Sequence, residues 1–265
     1  PLYEPILNFF TCLAVCHSVQ VTHKDKDGNP SGPVYNGMSP DEVSLVEVAR
    51  DVGTVFFSRV RKHAGMVSDI GVQGPGDTER RFAVLHELSF SSDRKRMSVI
   101  VKHRGNIWCI TKGADCVMEG LLAQPFTPEC REDLSKFSRQ GLRTLVVGMR
   151  MISKEEFEAW NLEYNAARNV IDETKGQQMD EVAARIETGL KLIGITAVED
   201  RLQEGVPEAI STIKEAGIKL WVLTGDKTET AVDIAKSCNL FTPSTRMAYA
   251  TQAEDGQNAE TKLLQ

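Results

Sequence analysis

The stretch of sequence that says most about the fold is Ile218–Lys227, which reads IKLWVLTGDK. Its first six residues are mostly apolar and predict a buried strand, and a helical pattern at 228–238 follows the small residues Thr-Gly-Asp. An apolar run at Leu190–Val198 and a helical pattern at 206–216 come before this stretch. The order strand, helix, strand, helix is typical of a βαβ unit with a parallel sheet.

The turn after this predicted strand is a candidate phosphate site. Helix N-termini that follow the carboxyl ends of parallel strands bind anions through their free N–H groups. The hydroxyl of Thr224 can donate to a phosphoryl oxygen, and Gly225 lets a ligand approach the backbone closely. In an alternative interpretation of equal weight, Thr224, Gly225 and Asp226 only cap the helix.

The sequence upstream predicts a mainly antiparallel sheet flanked by helices. Met97–Lys102 and Asn106–Thr111 are strand-like and surround His-Arg-Gly, which predicts a hairpin. Further strands are expected at 54–57, 82–85 and 142–149. Helices are expected at 5–20, 40–52, 113–122 and, with a break near Lys175-Gly176, 153–187. Loops are expected at His23–Gly37 and Gly71–Gly76, and a polar tail at 242–265. The predicted fold class is therefore α/β.

Composition excludes several classes of protein. The chain has 265 residues and a net charge of −6, so it offers no broad positive field for nucleic acid. Its six cysteines form no CxxC pair, which favours reduced thiols over a zinc site. The longest dense apolar run, Leu190–Val198, is far shorter than the roughly 20 residues that span a bilayer. The start at Pro1, without Met or a basic leader, suggests a segment of a longer protein.

Three upstream positions suggest ligand chemistry, and each also has a plainer interpretation. Phe90 precedes three basic residues and a strand, and an exposed Phe can stack on a base for roughly 1–3 kcal/mol. Taken alone, such a Phe more often lies in the core. Lys112 stands between a strand and a helix, where it can reach a phosphate or remain solvated. Arg143 begins a strand and can bind an anion or form a surface ion pair.

The order and wording of the motifs resemble the P-type ATPases, and among them the phospholipid flippases. The motifs are SPDE (39–42), FSSDRKRMSV (90–99), KGAD (112–115), GLRTL (141–145), WNLEY (160–164), EDRLQEGV (199–206) and WVLTGDK (221–227). Phe90, Lys112 and Thr-Gly-Asp resemble the whole superfamily, whereas RMSV, the Trp160 segment and DRLQ are similar to flippases in particular.

The resemblance implies an ATP site shared by two domains. In a nucleotide-binding domain at 1–199, the implied site residues are Glu42 near the adenine amino group, Phe90 stacked on adenine, Lys95 and Lys112 around the pocket and phosphates, and Arg143 at the phosphates across the cleft. Residues 200–265 would form part of a phosphorylation domain, an incomplete Rossmann-like βαβ segment of the haloacid dehalogenase type. There, Thr224, Gly225 and Asp226 would hold the γ-phosphate, and Asp200 would mark the hinge strand and contact ribose or phosphate.

One departure from the family pattern limits the expected chemistry. Residues 226–230 read DKTET, whereas the family phosphorylates the aspartate of DKTGT. Glu229 would repel the incoming phosphate, so Asp226 is not expected to be the nucleophile. The phosphorylated aspartate is expected before Pro1, and the family's Gly-Asp-Gly-x-Asn-Asp magnesium segment after Gln265. Because phosphoryl transfer needs nucleophile, metal and charge clamp together, we expect ATP binding without turnover and no metal ligands within the segment.

The expected function is the ATP-binding part of a phospholipid-translocating P-type ATPase, a translocase that uses ATP and, in the complete protein, Mg²⁺. Its expected partners are ATP, the actuator, the complete phosphorylation domain, the membrane domain and a phospholipid bound elsewhere, with room for an accessory subunit. The segment would be a cytosolic domain of an integral membrane protein. Alternatives are the nucleotide-binding domain of a cation pump, a nucleotide-independent interaction module, and a free-standing phosphatase of the haloacid dehalogenase type.

Overall fold

The computed structural model describes residues 3–24, 28–61, 68–199, 205–224, 228–242 and 245–248. The chain divides into two compact units, Pro1–Glu199 (unit 1) and Asp200–Gln265 (unit 2). Across the described ranges, every helix is too short or too polar to cross a membrane.

Unit 1 combines helices with two antiparallel sheets. Its helices are α1 (Tyr3–Val15), α2 (Pro40–Asp51), α3 (Asp115–Met118), α4 (Pro128–Arg139), α5 (Lys154–Arg168) and α6 (Lys175–Ile186). Its strands are β1 (Gln20–Lys24), β2 (Pro30–Asn36), β3 (Val55–Arg61), β4 (Ser68–Gly74), β5 (Thr78–Leu88), β6 (Arg96–His103), β7 (Asn106–Gly113), β8 (Arg143–Ile152) and β9 (Lys191–Val198). The predicted α/β class, with an antiparallel sheet flanked by helices, is confirmed.

The main sheet is a seven-stranded meander in the order β3-β4-β5-β6-β7-β8-β9, with every neighbouring pair antiparallel. Strands β1 and β2 pair separately. In a meander, alternate strands end at the same edge of the sheet. The ends of β5, β7 and β9 therefore meet the starts of β6 and β8 at one edge, which we call the site edge.

The predicted hairpin at 97–111 is confirmed as β6 and β7. His103 pairs with Asn106, and the two residues between them, Arg104 and Gly105, have φ angles of 49° and 85°. Positive φ at both central positions is the geometry of a type I′ turn, whose twist matches that of the flanking strands. The turn therefore fixes the register that places Lys112 opposite Met97.

The sheet is buried on both faces, which explains why its central strands are almost continuously apolar. On one face α1 and α2 cover a core that includes Val99 and Val101. On the other face α4, α5 and α6 cover a core that includes Ile100 and Cys109. Neighbouring residues of a strand thus belong to different cores, as the period of two requires.

The helices predicted near the chain start are confirmed with small changes at their ends. The first ends at Val15 rather than at residue 20, because the chain turns into β1 there. The second begins at Pro40, after Ser39, whose Oγ accepts a hydrogen bond from the backbone N–H of Glu42 at 3.4 Å. This N-cap and the acidic first turn match the sequence signals for a helix start.

Two predicted loops were wrong, because both contain strands. The segment 23–37 contains the end of β1 and all of β2, and Gly71–Gly76 lies largely in β4. Gly71 occupies a place that no side chain could share, since a Cβ there would lie 2.4 Å from Ser58 Oγ and 2.5 Å from Phe57 Cζ. Gly71 therefore serves close packing against β3 rather than a turn.

The helical predictions in the middle of the chain were incomplete. The helix expected at 113–122 is the single turn α3 followed by a 3₁₀ turn at Glu119–Leu121. Helix α4, capped by Thr127, which accepts from the N–H of Cys130 at 3.3 Å, was not predicted. The break within 153–187 falls at residues 169–174, and Lys175 begins α6 instead of interrupting a helix.

The expected parallel βαβ unit is not formed as predicted. Strand β9 pairs antiparallel with β8 and belongs to unit 1. In unit 2 the described residues form α7 (Val206–Glu215) and α8 (Thr228–Ser237), whereas 218–223 make no strand. A strand needs a neighbouring ladder for its backbone groups, and no other strand lies among the described residues of this unit. Consistent with this, the side chain of Trp221 is 84% exposed.

Candidate functional site

The site edge brings together four of the residues expected to bind a ligand. Phe90 lies just beyond the end of β5, Lys95 just before β6, Lys112 near the end of β7, and Arg143 at the start of β8. The registers of β6, β7 and β8 place Gly113 opposite Arg96 on one side and Val146 on the other. The topology of the sheet therefore gathers residues that are distant in sequence.

Phe90 is exposed rather than part of the core. Its side chain is 63% exposed, on the loop Ser89–Lys95 that we call the Phe90 loop. Large aromatic side chains are usually well buried, so an exposed ring on a structured loop is informative. The ring is available to stack on a planar ligand.

Backbone contacts structure the Phe90 loop. The N–H of Lys95 donates to the carbonyl of Ser91 at 2.8 Å, and the N–H of Arg94 donates to Ser91 Oγ at 3.2 Å. The carbonyl of Lys95 accepts from the N–H of Ala114 at 3.0 Å. A Cβ on Gly113 would lie 2.9 Å from that carbonyl oxygen, so the glycine of KGAD allows the loop to dock on β7. Lys95 itself is exposed.

Lys112, near the end of β7, is ion-paired with Glu42, which lies in the first turn of α2. Lys112 Nζ lies 3.2 Å from Glu42 Oε1, and their side chains are 5% and 14% exposed. The other carboxylate oxygen, Oε2, accepts from the Oγ and N–H of Ser18 at 2.6 and 3.2 Å. Burial alone raises the pKa of Glu42, but Lys112 and the two bonds from Ser18 outweigh it and leave the pKa below its ordinary value.

Arg143 lies beside this pair but in a more open position. Its Nη1 donates to Asp41 Oδ2 at 2.6 Å, and the two side chains are partly exposed. Asp41 and Glu42 are consecutive on α2, so one helix start contacts a basic residue from each of two neighbouring strands. This connection places Arg143 in the same region as Lys112.

A further group of polar residues behind the Lys112 pair was missed by the sequence analysis. Buried His17 bonds through Nε2 to the carbonyl of Ala14 at 2.9 Å, while its Nδ1 has no hydrogen-bond partner among the described residues. Burial, with Arg59 and Lys112 nearby, holds the pKa of His17 well below its ordinary value. Arg59 also lies 3.6 Å from Glu87, whose pKa is raised by burial. No motif in the sequence marks these residues, because their proximity arises only from packing.

Glu187, immediately after α6, was also missed. Its side chain has no exposed surface, and it accepts hydrogen bonds from Arg94, Arg96 and Ser98. We call these four residues the Glu187 network. The sequence offers only an indirect signal, namely two arginines next to an apolar strand, one on the Phe90 loop and one at the start of β6, which require a counter-charge if they are buried.

Of the four residues of unit 2 that were expected to bind a ligand, one lies among the described residues. Thr224 is described and exposed. Asp200, Gly225 and Asp226 lie outside the described residues. The described part of the chain also holds no cluster of three or more His, Cys, Asp or Glu side chains suited to a metal ion.

The groups at the site edge fit an adenine nucleotide. Phe90 offers the face of an exposed ring to a base, and Lys95 and Arg143 offer exposed or half-exposed cations to phosphates. Glu42 offers carboxylate oxygens, which accept hydrogen bonds from an exocyclic amine. Lys112 is paired with Glu42, so these two side chains lie together at the site edge.

Comparison with known proteins agrees with this chemistry. The family described as "P-type ATPase, cytoplasmic domain N" matches residues 6–205. The chain is similar to the phospholipid-transporting ATPase dnf2 of Schizosaccharomyces pombe, with 46% identity over 238 residues that cover 88% of this chain and 16% of that protein.

Two further relatives come from human and budding yeast. Identity to the human phospholipid-transporting ATPase IC is 42% over 250 residues, covering 93% of this chain and 19% of that protein. Identity to the phospholipid-transporting ATPase DRS2 of Saccharomyces cerevisiae is 39% over 267 residues, covering 99% of this chain and 19% of that protein. The chain thus spans less than a fifth of the length of these three relatives.

Proposed function

The chain belongs to the P-type ATPases, and from this premise we propose that it is the ATP-binding cytosolic part of a phospholipid-translocating pump. It would present ATP to an aspartate that its own sequence does not supply, since no DKTGT motif occurs in the 265 residues. In the complete protein, phosphorylation and dephosphorylation of that aspartate, with Mg²⁺ bound, would drive lipid movement between leaflets. The names of the relatives motivate the choice of a phospholipid as cargo.

The observation that carries the proposal is the exposed ring of Phe90 beside a set of basic groups. A 63% exposed phenylalanine on a hydrogen-bonded loop offers the face of its ring to a planar ligand. Stacking on adenine would cover the ring, and Lys95 lies on the same loop. The site edge of unit 1 therefore serves as the adenine end of the nucleotide site.

The phosphate end is assigned to cations and to unit 2. We assign Arg143 and Lys95 to the phosphates of ATP, and the Glu42–Lys112 pair to the junction between base and phosphates. In unit 2 we assign Thr224, Gly225 and Asp226 to the transferred phosphoryl group and Asp200 to ribose or phosphate, on the family pattern. The actuator, the membrane domain and any accessory subunit would be the partners of this segment in the pump.

Isothermal titration of this chain with ATP, wild type against Phe90→Ala, tests the proposal. The wild type should bind ATP with micromolar to millimolar affinity. Phe90→Ala should weaken binding about fivefold or more, since stacking on a base is worth roughly 1–3 kcal/mol. Leu162→Ala is the matched control, because Leu162 is 74% exposed on α5 and lies on a different element.

Two results would contradict the proposal. A wild-type chain that shows neither binding heat nor chemical-shift changes near Phe90 and Lys112 at millimolar ATP has no nucleotide site at this edge. Such a result would favour the interaction module. Equal affinities of wild type and Phe90→Ala would remove Phe90 from the site.

A further inference from the structure

The Glu187 network is an ionic cluster buried beneath the Phe90 loop. Glu187 Oε2 accepts from Arg96 Nε at 2.7 Å, and its Oε1 accepts from Ser98 Oγ at 2.6 Å and from Arg94 Nη2. Thr111 Oγ1 lies 2.9 Å from Ser98 Oγ. Because Ser98 gives its proton to Glu187, Thr111 donates to Ser98. The network therefore extends from the end of α6 through β6 to β7.

Arg94 connects this network to the backbone of the Phe90 loop. Its Nη1 donates to the carbonyl of Ser89 at 2.8 Å, the residue directly before Phe90. Its Nη2 donates to Glu187, and Nε lies 3.6 Å from Asp180 on α6 without a hydrogen bond of its own. Within the loop, the N–H of Arg94 donates to Ser91 Oγ. Arg94 thus holds the chain on both sides of Phe90.

The burial of the network makes these contacts difficult to exchange for others. The side chain of Arg94 is 7% exposed and that of Arg96 is 10% exposed, while Glu187 is fully enclosed. A buried charge that loses its partner cannot turn to water. Any loop conformation that withdraws Arg94 would remove one of the two arginine partners of Glu187. It would also leave the carbonyl of Ser89 without its hydrogen bond from Arg94. The loop therefore has one strongly favoured conformation.

A loop that is already ordered loses little conformational freedom when a ligand binds to it. The exposed ring of Phe90 is carried by this ordered loop, whereas the side chain of Arg94 on the same loop is buried. We propose that Glu187 is a positioning residue for base recognition, which acts through Arg94 to hold Phe90 in the orientation that stacks on adenine. This inference rests on the proposed ATP-binding function and adds a residue that lies 97 positions after Phe90 in sequence.

The variant Glu187→Gln tests the role, with Glu156→Gln as a matched control. Glu156 also binds an arginine, Arg150, on the same face of the sheet, but it makes no contact with the Phe90 loop. Amide hydrogen exchange without nucleotide should show exchange of residues 89–95 faster by roughly tenfold in Glu187→Gln and unchanged in the control. This measurement does not depend on ATP.

Titrations with ATP and with inorganic triphosphate provide the second readout. Glu187→Gln should weaken ATP binding roughly tenfold and triphosphate binding less than about twofold, because only ATP uses the ring of Phe90. A purely structural role would weaken both ligands equally. Equal losses, or a folded variant with unchanged exchange at 89–95, would overturn the inference.

A second variant covers the case in which Glu187→Gln does not fold. Arg94→Gln removes the guanidinium that donates to the carbonyl of Ser89 and keeps the ion pair of Arg96 and Glu187. This variant should reproduce the exchange and titration results expected for Glu187→Gln. If neither variant folds, amide hydrogen exchange of the wild type tests the role. Exchange at residues 89–95 as fast as in an unstructured loop would refute the positioning role. A wild type with a protected loop but no ATP binding would instead refute the proposed function. The ordering of the Phe90 loop by the Glu187 network would still hold.

Discussion

Glu42 and Glu187 neutralise basic side chains on opposite faces of the same sheet, and they differ in their access to the site. Glu42 faces Lys112 with 14% of its side chain exposed, and Ser18 supplies its other hydrogen bonds. Glu187 has no exposed surface and binds two arginines and a serine. The same chemistry thus produces a pair that is slightly exposed to solvent and a cluster whose carboxylate is fully enclosed.

The difference shows how one edge of the sheet can be tightly enclosed on one face and more open to solvent on the other. The enclosed carboxylate fixes backbone geometry, because replacing its partners would strand charge in the interior. The more accessible carboxylate of Glu42 keeps its charge, with a pKa below the ordinary value.

The largest effect that we expect is a loss of stability when Glu187 is replaced. Glu187→Gln should lower the free energy of unfolding by about 3–5 kcal/mol, the usual cost of removing one partner of a buried ion pair. Urea denaturation followed by tryptophan fluorescence measures it. Glu42→Gln should cost less, because its surroundings admit water.

The control for this prediction is Glu156→Gln. The pair of Glu156 and Arg150 is largely open to solvent on the side of Glu156, and surface pairs contribute about 0–1 kcal/mol. A loss for Glu187→Gln no larger than that for Glu156→Gln would show that the enclosed network is no more stabilising than a surface pair.

The next largest effect should appear at the accessible pair. Lys112→Met retains the aliphatic length of the side chain and removes the ammonium group. We expect ATP affinity to fall roughly tenfold, since a charge-assisted hydrogen bond contributes about 1.5–3 kcal/mol. The pKa of Glu42 should rise, because Lys112 is the strongest group that lowers it. Titration calorimetry and NMR titration of the Glu42 carboxyl measure the two changes.

Lys102→Met is the matched control for Lys112→Met. Lys102 is an exposed lysine on the neighbouring strand β6, far along the strand from the site edge. Its replacement should leave both ATP affinity and the Glu42 titration unchanged. If the two variants behave alike, the Glu42–Lys112 pair is not specific to the nucleotide site.

The smallest predicted effect of a single group is acid sensitivity, to which one histidine on each face of the sheet should contribute. Burial is the main cause that lowers the pKa of His17 and of His86, and Arg59 and Lys112 near His17 and Arg168 near His86 lower it further. The unfolded chain therefore binds more protons than the folded chain below the ordinary histidine pKa of 6.5. Stability should be full above pH 6.5 and fall by at most about 1.4 kcal/mol per group per pH unit below it.

Denaturation at pH 7.5, 6.5 and 5.5 checks this sign. His86→Gln should remove roughly half of the loss between pH 6.5 and 5.5, because one of the two titrating groups is gone. Constant stability over this range, or stability that increases as the pH falls, would show that neither histidine is held neutral by the fold.

The sequence predicted the elements whose signals are local. Ser39, Pro40 and two acidic residues gave the start of α2, and Arg104-Gly105 between two apolar runs gave the β6–β7 hairpin. Strand β4 was mistaken for a loop because Gly71 and Gly74 resemble turn residues, although both lie within the strand and Gly71 is required by close packing. Nothing local indicates that a glycine has a neighbouring ring against it.

The local sequence pattern could not predict whether neighbouring strands run parallel or antiparallel. The run Leu190–Val198 is apolar on both sides, as β9 requires, but a buried strand looks the same whether its neighbour is parallel or antiparallel. The strand expected at 218–223 shows the same limit, since strand propensity cannot supply the partner strand that a ladder needs.

The candidate site was predictable where a single residue defines a role and unpredictable where contacts between elements define it. Phe90, Lys95, Lys112 and Arg143 were all identified in advance, and the structure brings them to one edge. Glu187 and His17 were missed, because each depends on side chains that lie more than forty positions away. The ligand-binding roles of the four residues at the site edge stay predictions, as do those of Glu42, Asp200, Thr224, Gly225 and Asp226.

The distribution of the six thiols makes this chain easy to label at one chosen place. Five cysteines are buried, and burial raises the pKa of Cys12 and Cys109 to about 12, so they stay protonated and unreactive at neutral pH. Cys116 is exposed, four positions after Lys112, at the start of α3. A maleimide dye would therefore attach beside the site edge without any engineered substitution, and its emission would follow occupancy in real time.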